Sequence, residues 1–245
     1  MLVDGKYIKI KGYDKKIPVV YGIDYLTHDI PTYILSVSES YLTLKSFFTS
    51  LRLLRYPLQA VVADDNYNIF ESCKRVYPEA ATQLCQVHYK QNIRSELNLK
   101  NDDTYQPFMY QIASLFAKRR SEVEFDGIAR KMFWKYQNDP VCKSILLDIQ
   151  KRKTDLLAYT RIPRVPRTNN LIESYNSHLQ GRLKTIKGFE SFKHADNWLN
   201  AYFVRRRLKT FTSCGRPFHQ LNGFSSLELT LKENYKIENV LRLMR

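Results

Sequence analysis

Three acidic residues of this 245-residue chain stand in settings that suit metal-dependent chemistry on a phosphodiester. Asp4 lies near the start of the chain, and Asp64 ends an apolar run that begins at Val61. Glu173 lies in the polar segment Thr168–Asn176. Carboxylates contributed by three separate elements are what a protein needs to hold two divalent metal ions against a phosphate. Because the chain is strongly basic, acidic residues gathered at one point require an explanation.

The elements that carry these acids are predicted from the apolar pattern. Asp4 lies within or beside the first strand, and Asp64 lies at the carboxyl end of a central strand, where open α/β sheets place their ligand sites. Glu173 lies on a helix, and its neighbours Asn169 and Asn176 share a polar stripe with it. A sheet packed against that helix would bring the three acids together.

Each acid also has an ordinary structural interpretation. Asp4 could equally be a solvated residue of a strand. Asp64 or Asp65 could equally be the N-cap of the following helix, a position where Asp is favoured. Glu173 would stabilise a helix from its first turn through the helix dipole. Taken together, on a chain with a formal net charge of +15, the three acids favour a functional interpretation.

The periodicity of the chain predicts an α/β fold with a mixed sheet. Residues 7–11, 19–23 and 31–37 are predicted to form an antiparallel meander, and 58–63 and 82–87 to form strands that alternate with helices. Strand signals stop near residue 98, and amphipathic helices follow up to 163. We therefore predict a core of residues 1–97 and 164–245, flanked by helices and interrupted by an all-α insertion over 98–163.

The charge of the chain predicts a polyanionic partner. It carries 39 Lys and Arg against 24 Asp and Glu, a surplus typical of proteins that bind nucleic acid through phosphate contacts. The candidate phosphate-binding residues are Lys184, Lys187, Arg205, Arg206 and Arg207. A solvated helix end is the alternative interpretation of the arginine run.

The sequence argues against a membrane or secreted protein. It contains no run of 18 apolar residues and no basic start followed by an apolar core. Its four cysteines are too few and too scattered for a disulfide framework, which favours a reducing compartment.

The Cys85-x-x-His88 pair has two interpretations. A structural zinc site needs four ligands, and this pair supplies two, so Cys214 and His219 would have to complete the set. The interpretation we favour makes Cys85 a buried strand residue and places His88 in the catalytic cleft.

The motifs together resemble those of the Mutator-like DDE transposases, a group that includes many insertion-sequence transposases. The first block of that family resembles residues 3–9, and the second resembles residues 61–64 followed by Tyr77-Pro78 and Cys85–His88. The third block, Thr-x-Asn followed closely by Glu and Asn, resembles residues 168–176. Asp4 and Asp64 are 60 positions apart, and Asp64 and Glu173 are 109 apart, which leaves room for the helical insertion of that family.

The resemblance implies an RNase H-like fold in which Asp4, Asp64 and Glu173 are the catalytic residues and bind two Mg²⁺ or Mn²⁺ ions. Cys85, His88, Asn169 and Asn176 become candidate active-site or structural residues. The implied partners are transposon ends and target DNA, with a homodimer or higher oligomer on DNA and no membrane. The implied location is the nucleoid of a prokaryotic cytoplasm or a eukaryotic nucleus.

Two features depart from the pattern of that family. Asp65 stands where the family commonly has Gly, so the role of Asp64 is open to competition from its neighbour. We also expect the N-terminal DNA-binding region usual in such enzymes to be missing from this chain. Two alternative functions remain: a catalytically inactive, transposase-derived DNA-binding protein, and an RNase H-like nuclease without strand transfer.

Overall fold

A computed structural model describes residues 1–231, in which five strands form one mixed sheet in the order β3-β2-β1-β4-β5. Two pairings are antiparallel, β1 with β2 and β2 with β3, whereas β4 and β5 pair in parallel. The strands are β1 (Leu2–Ile8), β2 (Ile17–Ile23), β3 (Tyr33–Leu35), β4 (Ala60–Ala63) and β5 (Ala81–Leu84). The predicted fold class, an α/β protein with an antiparallel meander plus parallel strands, is confirmed.

Helices flank the sheet and occupy most of the rest of the described chain. Those that follow the strands in the first part of the chain are α1 (Tyr41–Leu53), α2 (Tyr67–Val76) and α3 (Gln86–Glu96). The helices of the middle segment are α4 (Gln106–Leu115), α5 (Glu122–Tyr136), α6 (Pro140–Lys151), α7 (Lys153–Leu156) and α8 (Ala158–Arg161). The last are α9 (Asn170–Ile186), α10 (Phe192–Leu208) and α11 (Ser226–Thr230), with a 3₁₀ turn at His219–Leu221.

The chain divides into two compact units. Unit 1 contains Met1–Pro57, Glu71–Pro78 and the described residues from Asn170 onward, and unit 2 contains Leu58–Phe70 and Glu79–Asn169. The domain boundaries predicted at 97 and 163 remain a prediction, and the end of the predicted segment 164–245 lies outside the described residues.

In unit 1, the β1–β2 hairpin positions Asp4 opposite Tyr21. Every residue of β2 is buried, as expected of a strand covered on both faces. The chain beyond β1 is joined to the segment between α9 and α10, because Lys11 N–H donates to the Phe189 carbonyl at 2.8 Å and Phe189 N–H to the Lys9 carbonyl at 2.9 Å. These backbone bonds attach the end of α9 to the strand that carries Asp4.

In unit 2, β4 is wholly buried and Asp64 follows it directly. Two buried glutamines attach the helical segment to β5 and α3. The Gln83 side chain donates to the Leu156 carbonyl at 3.0 Å and accepts from the Tyr159 N–H at 3.0 Å. Gln86 also donates to the Leu156 carbonyl, at 2.9 Å. Since an unpaired buried amide is costly, these bonds fix α7 and α8 against β5.

No helix among residues 1–231 is both long enough and apolar enough to cross a membrane.

A buried histidine makes the stability of unit 1 depend on pH. His28 is 7% exposed and has a positive φ of 55°, and burial lowers the pKa of its imidazole to about 4, although the charge of Asp24 opposes the shift. Between about pH 6.5 and pH 4 the unfolded chain therefore binds a proton that the folded chain does not. We expect the free energy of unfolding to fall on acidification over this range, by about 1.4 kcal/mol per pH unit from this group.

Denaturant unfolding of the His28→Asn variant at several pH values checks this expectation. Asparagine tolerates positive φ and does not titrate, so the variant should lose this part of the pH dependence. The matched control is His219→Asn, at an exposed histidine, which should keep it. An identical pH slope in wild type and His28→Asn would contradict the assignment.

Candidate active site

In unit 1, the Asp4 carboxylate is held by two donors. Its Oδ1 accepts from the Gly5 N–H at 2.8 Å, and its Oδ2 accepts from the Asn176 side-chain amide at 2.6 Å. Asp4 is half-buried in the middle of β1, and Asn176 is buried in α9. Hydrogen bonds to a carboxylate are among the stronger ones in proteins, so this pair orients the carboxylate.

Tyr21 determines which way the Asn176 amide faces. The Tyr21 hydroxyl donates to Asn176 Oδ1 at 2.8 Å, and the Tyr21 side chain is fully buried. Burial raises the pKa of Tyr21 well above its usual value, and the nearby Asp4 charge adds to the shift, so the hydroxyl keeps its proton and acts as the donor. With its oxygen engaged by Tyr21, the amide presents its NH₂ group to Asp4.

Glu173 lies in the first turn of α9, one turn before Asn176. The helix is amphipathic: Ile172, Tyr175 and Leu179 are buried, whereas Ser174 and Ser177 are exposed and Glu173 is half-buried. The predicted helix that carries Glu173 is therefore confirmed, and it spans Asn170–Ile186.

In unit 2, Asp64 is held in a comparable way. Its Oδ1 accepts from the Asn169 side-chain amide at 2.6 Å and lies 2.7 Å from His88 Nδ1. Asn169 is fully buried, immediately before the start of α9. Asp64 is half-buried, so its carboxylate is oriented while part of it faces solvent.

Cys85 closes a ring of contacts around Asp64. Its thiol donates to Asn169 Oδ1 at 3.1 Å, and its Sγ lies 3.4 Å from His88 Nδ1. Burial raises the pKa of Cys85, although nearby backbone N–H groups oppose the shift, which keeps the thiol protonated. The thiol therefore fixes the Asn169 amide with its NH₂ group toward Asp64.

The expected strand position of Cys85 is wrong. Cys85 is buried, but β5 ends at Leu84, and Cys85 is the N-cap of α3, which carries His88. Its N–H still donates to the Ala63 carbonyl at 2.8 Å, so the ladder runs one residue past the strand before the helix begins. An apolar run that continues from a strand into a buried helix start does not show where the strand ends.

The two aspartates thus share one arrangement, each within its own unit. A buried neutral donor, Tyr21 or Cys85, fixes an asparagine amide, and the amide donates to an aspartate. Both asparagines come from the segment 168–176 that also carries Glu173.

Asp65 belongs to a different network. Its carboxylate accepts at 2.6 Å from Arg152, the C-cap residue of α6. Arg152 also pairs at 3.0 Å with Asp148, which lies one helical turn earlier in α6. Asp148 in turn accepts from the Tyr89 hydroxyl at 2.7 Å. Of the two adjacent aspartates, Asp64 is therefore the one whose carboxylate is oriented by the motif residues.

Two donor sets bear on metal binding. Asp4 and Glu173 offer carboxylate oxygens, which suit Mg²⁺ and Mn²⁺. Ligand atoms of Asp64, Cys85 and His88 lie within 4.8 Å of one another, a mixed oxygen, sulfur and nitrogen set of the kind that suits zinc. The zinc interpretation of the sequence required Cys214 and His219 beside Cys85 and His88. In the structure the residue that joins Cys85 and His88 is Asp64 instead.

The five predicted phosphate-binding residues have different surroundings. Lys184, Lys187 and Arg205 are exposed. The Arg206 guanidinium lies 4.5 Å from the centre of the Tyr175 ring. Arg207 donates to both oxygens of the fully buried Asp29, at 2.8 and 2.9 Å, so its guanidinium serves a buried ion pair inside unit 1.

Sequence reasoning missed Tyr21 as a site residue. It named Cys85 and Asn169 as candidates but did not predict that they contact each other. In the sequence, Tyr21 looks like any other apolar residue of a buried strand. The feature that could have identified it is its hydroxyl group in the middle of an otherwise apolar run.

A comparison with known protein families agrees with the motifs. The profile of the family described as "Transposase, Mutator family" matches residues 1–205, most of the chain. The chain therefore belongs to the Mutator family of transposases, as the resemblance predicted. No curated protein matches it.

A solved structure is similar to the chain at low identity. It is a chain of the cryoEM structure of the simian T-cell lymphotropic virus intasome in complex with PP2A regulatory subunit B56 gamma. The identity is 10% and the TM-score 0.39, with 96% of this chain and 55% of that chain covered. This chain thus spans about half the length of that relative.

Proposed function

We propose that this chain is a DDE transposase that cleaves DNA at transposon ends and transfers the resulting strand to target DNA in a metal-dependent reaction. The observation that carries the proposal is the pair of asparagine-oriented aspartates in a chain of the Mutator family. Carboxylates that bind a metal are themselves held by hydrogen bonds from surrounding residues, and both aspartates have such a bond from an asparagine amide.

In this proposal Asp4, Asp64 and Glu173 hold two Mg²⁺ or Mn²⁺ ions on a fold of the RNase H type. The oxygen donors of these residues fit such hard ions. When bound, the ions activate the attacking oxygen and stabilise the leaving oxygen of an in-line displacement.

The protein residues around the carboxylates supply orientation without charge. Asn176 and Asn169 hold Asp4 and Asp64 through neutral amides, so they do not neutralise the negative charge that attracts a cation. His88, at 2.7 Å from Asp64 Oδ1, acts in the proposal as a positioning residue for that carboxylate. The alternative, in which Cys85 and His88 are zinc ligands, predicts that Zn²⁺ and not Mn²⁺ stabilises the fold.

The positive charge of the chain supports DNA as the partner. A net charge of +15 raises the local concentration of phosphates, and Lys184, Lys187 and Arg205 are exposed to contact them without reading bases. Because transposition joins two DNA ends, the proposal includes a homodimer or higher oligomer on DNA. It places the protein wherever the DNA is, in a nucleoid or a nucleus.

Incubation of the purified chain with end-labelled terminal-repeat DNA and Mg²⁺ or Mn²⁺ tests the proposal. We expect nicked DNA and, with a target plasmid, joined products, and neither product in EDTA. Cleavage without joined products would instead show a nuclease without strand transfer. Specific binding without any cleavage would show a catalytically inactive DNA-binding derivative.

Removing the Tyr21 hydroxyl tests the role of the amide that holds Asp4. Tyr21→Phe leaves Asn176 Oδ1 without its donor, so the amide is no longer held with its NH₂ toward Asp4. Loss of such a supporting bond typically reduces metal affinity or activity about 10- to 100-fold. We expect a loss of this size in DNA cleavage, with part of it recovered at high Mn²⁺ concentration.

The neighbouring tyrosine provides the matched control. Tyr33 pairs with Tyr21 across β2 and β3, and both rings pack on Phe203, at 4.9 and 5.1 Å between ring centres. The Tyr33 hydroxyl donates to Asp196 at 2.9 Å instead. Tyr33→Phe removes a hydroxyl from the same group of packed rings and should leave cleavage near the wild-type rate. Equal losses of activity in both variants would show that Tyr21 has only a structural role.

A further inference from the structure

A cavity of about 360 Å³ in unit 1 is not used by the proposed reaction. One wall is the stripe of α9 formed by Leu171, Ser174, Tyr175 and His178, which is adjacent to the stripe that carries Glu173. The other wall is the end of α10 and the segment that follows it. Binding pockets for small organic groups begin at about this volume.

Aromatic rings surround the His28 imidazole at this cavity. The ring centre of His28 lies 4.4 Å from that of Phe218, 5.8 Å from that of Phe211 and 6.0 Å from that of Tyr175, and each pair meets at a steep angle. All four residues line the cavity. Rings in such edge-on arrangements form an apolar wall that a flat aromatic ligand can contact.

Two buried polar atoms at the cavity have no hydrogen-bond partner among the described residues. They are His28 Nε2 and Arg206 Nε, and both residues line the cavity. The His28 side chain is 7% exposed, and its Nδ1 lies 3.4 Å from the Tyr175 hydroxyl, which leaves Nε2 as its second polar atom. These atoms mark His28 and Arg206 as the residues that contribute buried polar groups to the cavity wall.

The charged groups that line the cavity are positive. The Arg206 guanidinium stacks 4.5 Å from the centre of the Tyr175 ring, and Lys209 is exposed at the end of α10. Both line the cavity together with His178, and the lining residues include no Asp or Glu. The ligand that fits is therefore anionic as well as flat.

We propose that this cavity binds one unpaired nucleotide of DNA. The base contacts the rings that line the cavity, and the phosphate lies against Arg206 and Lys209. A nucleotide combines an aromatic face, a polar edge and a negative charge, and single-stranded DNA is commonly held by such stacking on aromatic side chains together with basic contacts. The inference rests on the proposed function in taking DNA as the polyanion, and it places an extruded nucleotide beside the helix that carries Glu173.

The test measures DNA binding by the full chain in EDTA, so that no cleavage occurs. Three fluorescent DNAs are compared: a duplex with a short single-stranded extension, the same duplex with abasic sites in the extension, and a blunt duplex. We expect the base-bearing extension to bind about tenfold more tightly than the abasic one, the size of effect that one stacked base produces. A 2-aminopurine in the extension should change its fluorescence on binding.

Paired variants locate the effect. Phe211→Leu and Phe218→Leu remove rings from the cavity, and Phe224→Leu, at a 49%-exposed ring that does not line it, is the matched control. Either cavity variant should reduce the preference for base over abasic DNA, whereas the control should keep it. Lys209→Gln should weaken the binding of both DNAs that carry an extension. Lys193→Gln, at an exposed lysine of α10 outside the cavity, should weaken it less.

Thermal unfolding identifies any variant that fails to fold. If one of Phe211→Leu and Phe218→Leu fails to fold, the other decides the result. Equal affinity of wild type for base-bearing and abasic extensions would mean a phosphate site only and would overturn the proposal. So would an unchanged base preference in a folded ring variant. Failure of the proposed function is distinguishable, because the base preference is measured in EDTA, whereas cleavage is measured separately with Mg²⁺.

Discussion

Replacing Asp64 by asparagine should reduce DNA cleavage and strand transfer by about a thousandfold while DNA binding stays close to wild type. The substitution keeps the size of the side chain and removes the negative charge that holds a cation. Loss of a single group that stabilises charge in the transition state costs about a hundred- to a thousandfold, and a metal ligand belongs at the upper end. Labelled terminal-repeat DNA with Mg²⁺ measures cleavage, and fluorescence anisotropy in EDTA measures binding.

Asp65→Asn is the matched control, because it makes the same chemical change one residue away. Asp65 pairs with Arg152 at 2.6 Å, and both side chains are about one-third exposed. Ion pairs with this exposure contribute about 0–1 kcal/mol to stability, so the control should fold and cleave DNA nearly as wild type does. Loss of cleavage in Asp65→Asn with retention in Asp64→Asn would move the ligand to Asp65, and unchanged cleavage in both would refute the site.

Replacing Asp4 by asparagine should reduce cleavage by the same factor as Asp64→Asn. It should also remove the stabilisation of the folded chain by divalent metal ions. A ligand that binds the folded chain alone raises the free energy of unfolding by about 2.7 kcal/mol at a concentration of 100 times its Kd. We therefore expect Mn²⁺ to raise the unfolding temperature of wild type and to have little effect on Asp4→Asn. Asp14→Asn, at an exposed turn residue, has the same charge change and should respond as wild type does.

The same measurement separates the two donor sets. If Mn²⁺ stabilises Asp4→Asn as much as wild type, the ion is not held by Asp4, and the three-carboxylate proposal is wrong. If Zn²⁺, and not Mn²⁺, stabilises the chain and the effect is lost in His88→Ala but kept in Asp4→Asn, the Asp64, Cys85 and His88 set is a zinc site.

The order and type of the core elements were predictable because their signals are local. Alternation, apolar runs and helical spacing each depend on a few consecutive residues, and the mixed sheet and the helices around Glu173 follow from them. Boundaries were less accurate. The first strand was predicted over 7–11 and is Leu2–Ile8, and the third was predicted over 31–37 and is Tyr33–Leu35. Where a strand ends depends on which backbone groups find partners, and that is a tertiary property.

The residue types of the candidate site were also predictable, because their chemistry depends on the side chain itself. Asp4, Asp64, Glu173, Asn169 and Asn176 were all named from their motifs. The assignment of the three acids as ligands remains a proposal. That Arg205, Arg206 and Arg207 contact DNA stays a prediction as well, although Arg207 is engaged by Asp29.

The family of this protein, the order of its strands and helices, its positive charge and the polar residues available for chemistry all follow from the order of its amino acids. Which of those polar groups meet follows from how the chain packs. Tyr21 reaches Asn176 across 155 residues, Asn169 reaches Asp64 across 105, and Arg207 reaches Asp29 across 178. These contacts are long-range because a buried donor must find an acceptor somewhere in the fold, and burial is a property of the whole packed chain and not of a neighbourhood in the sequence.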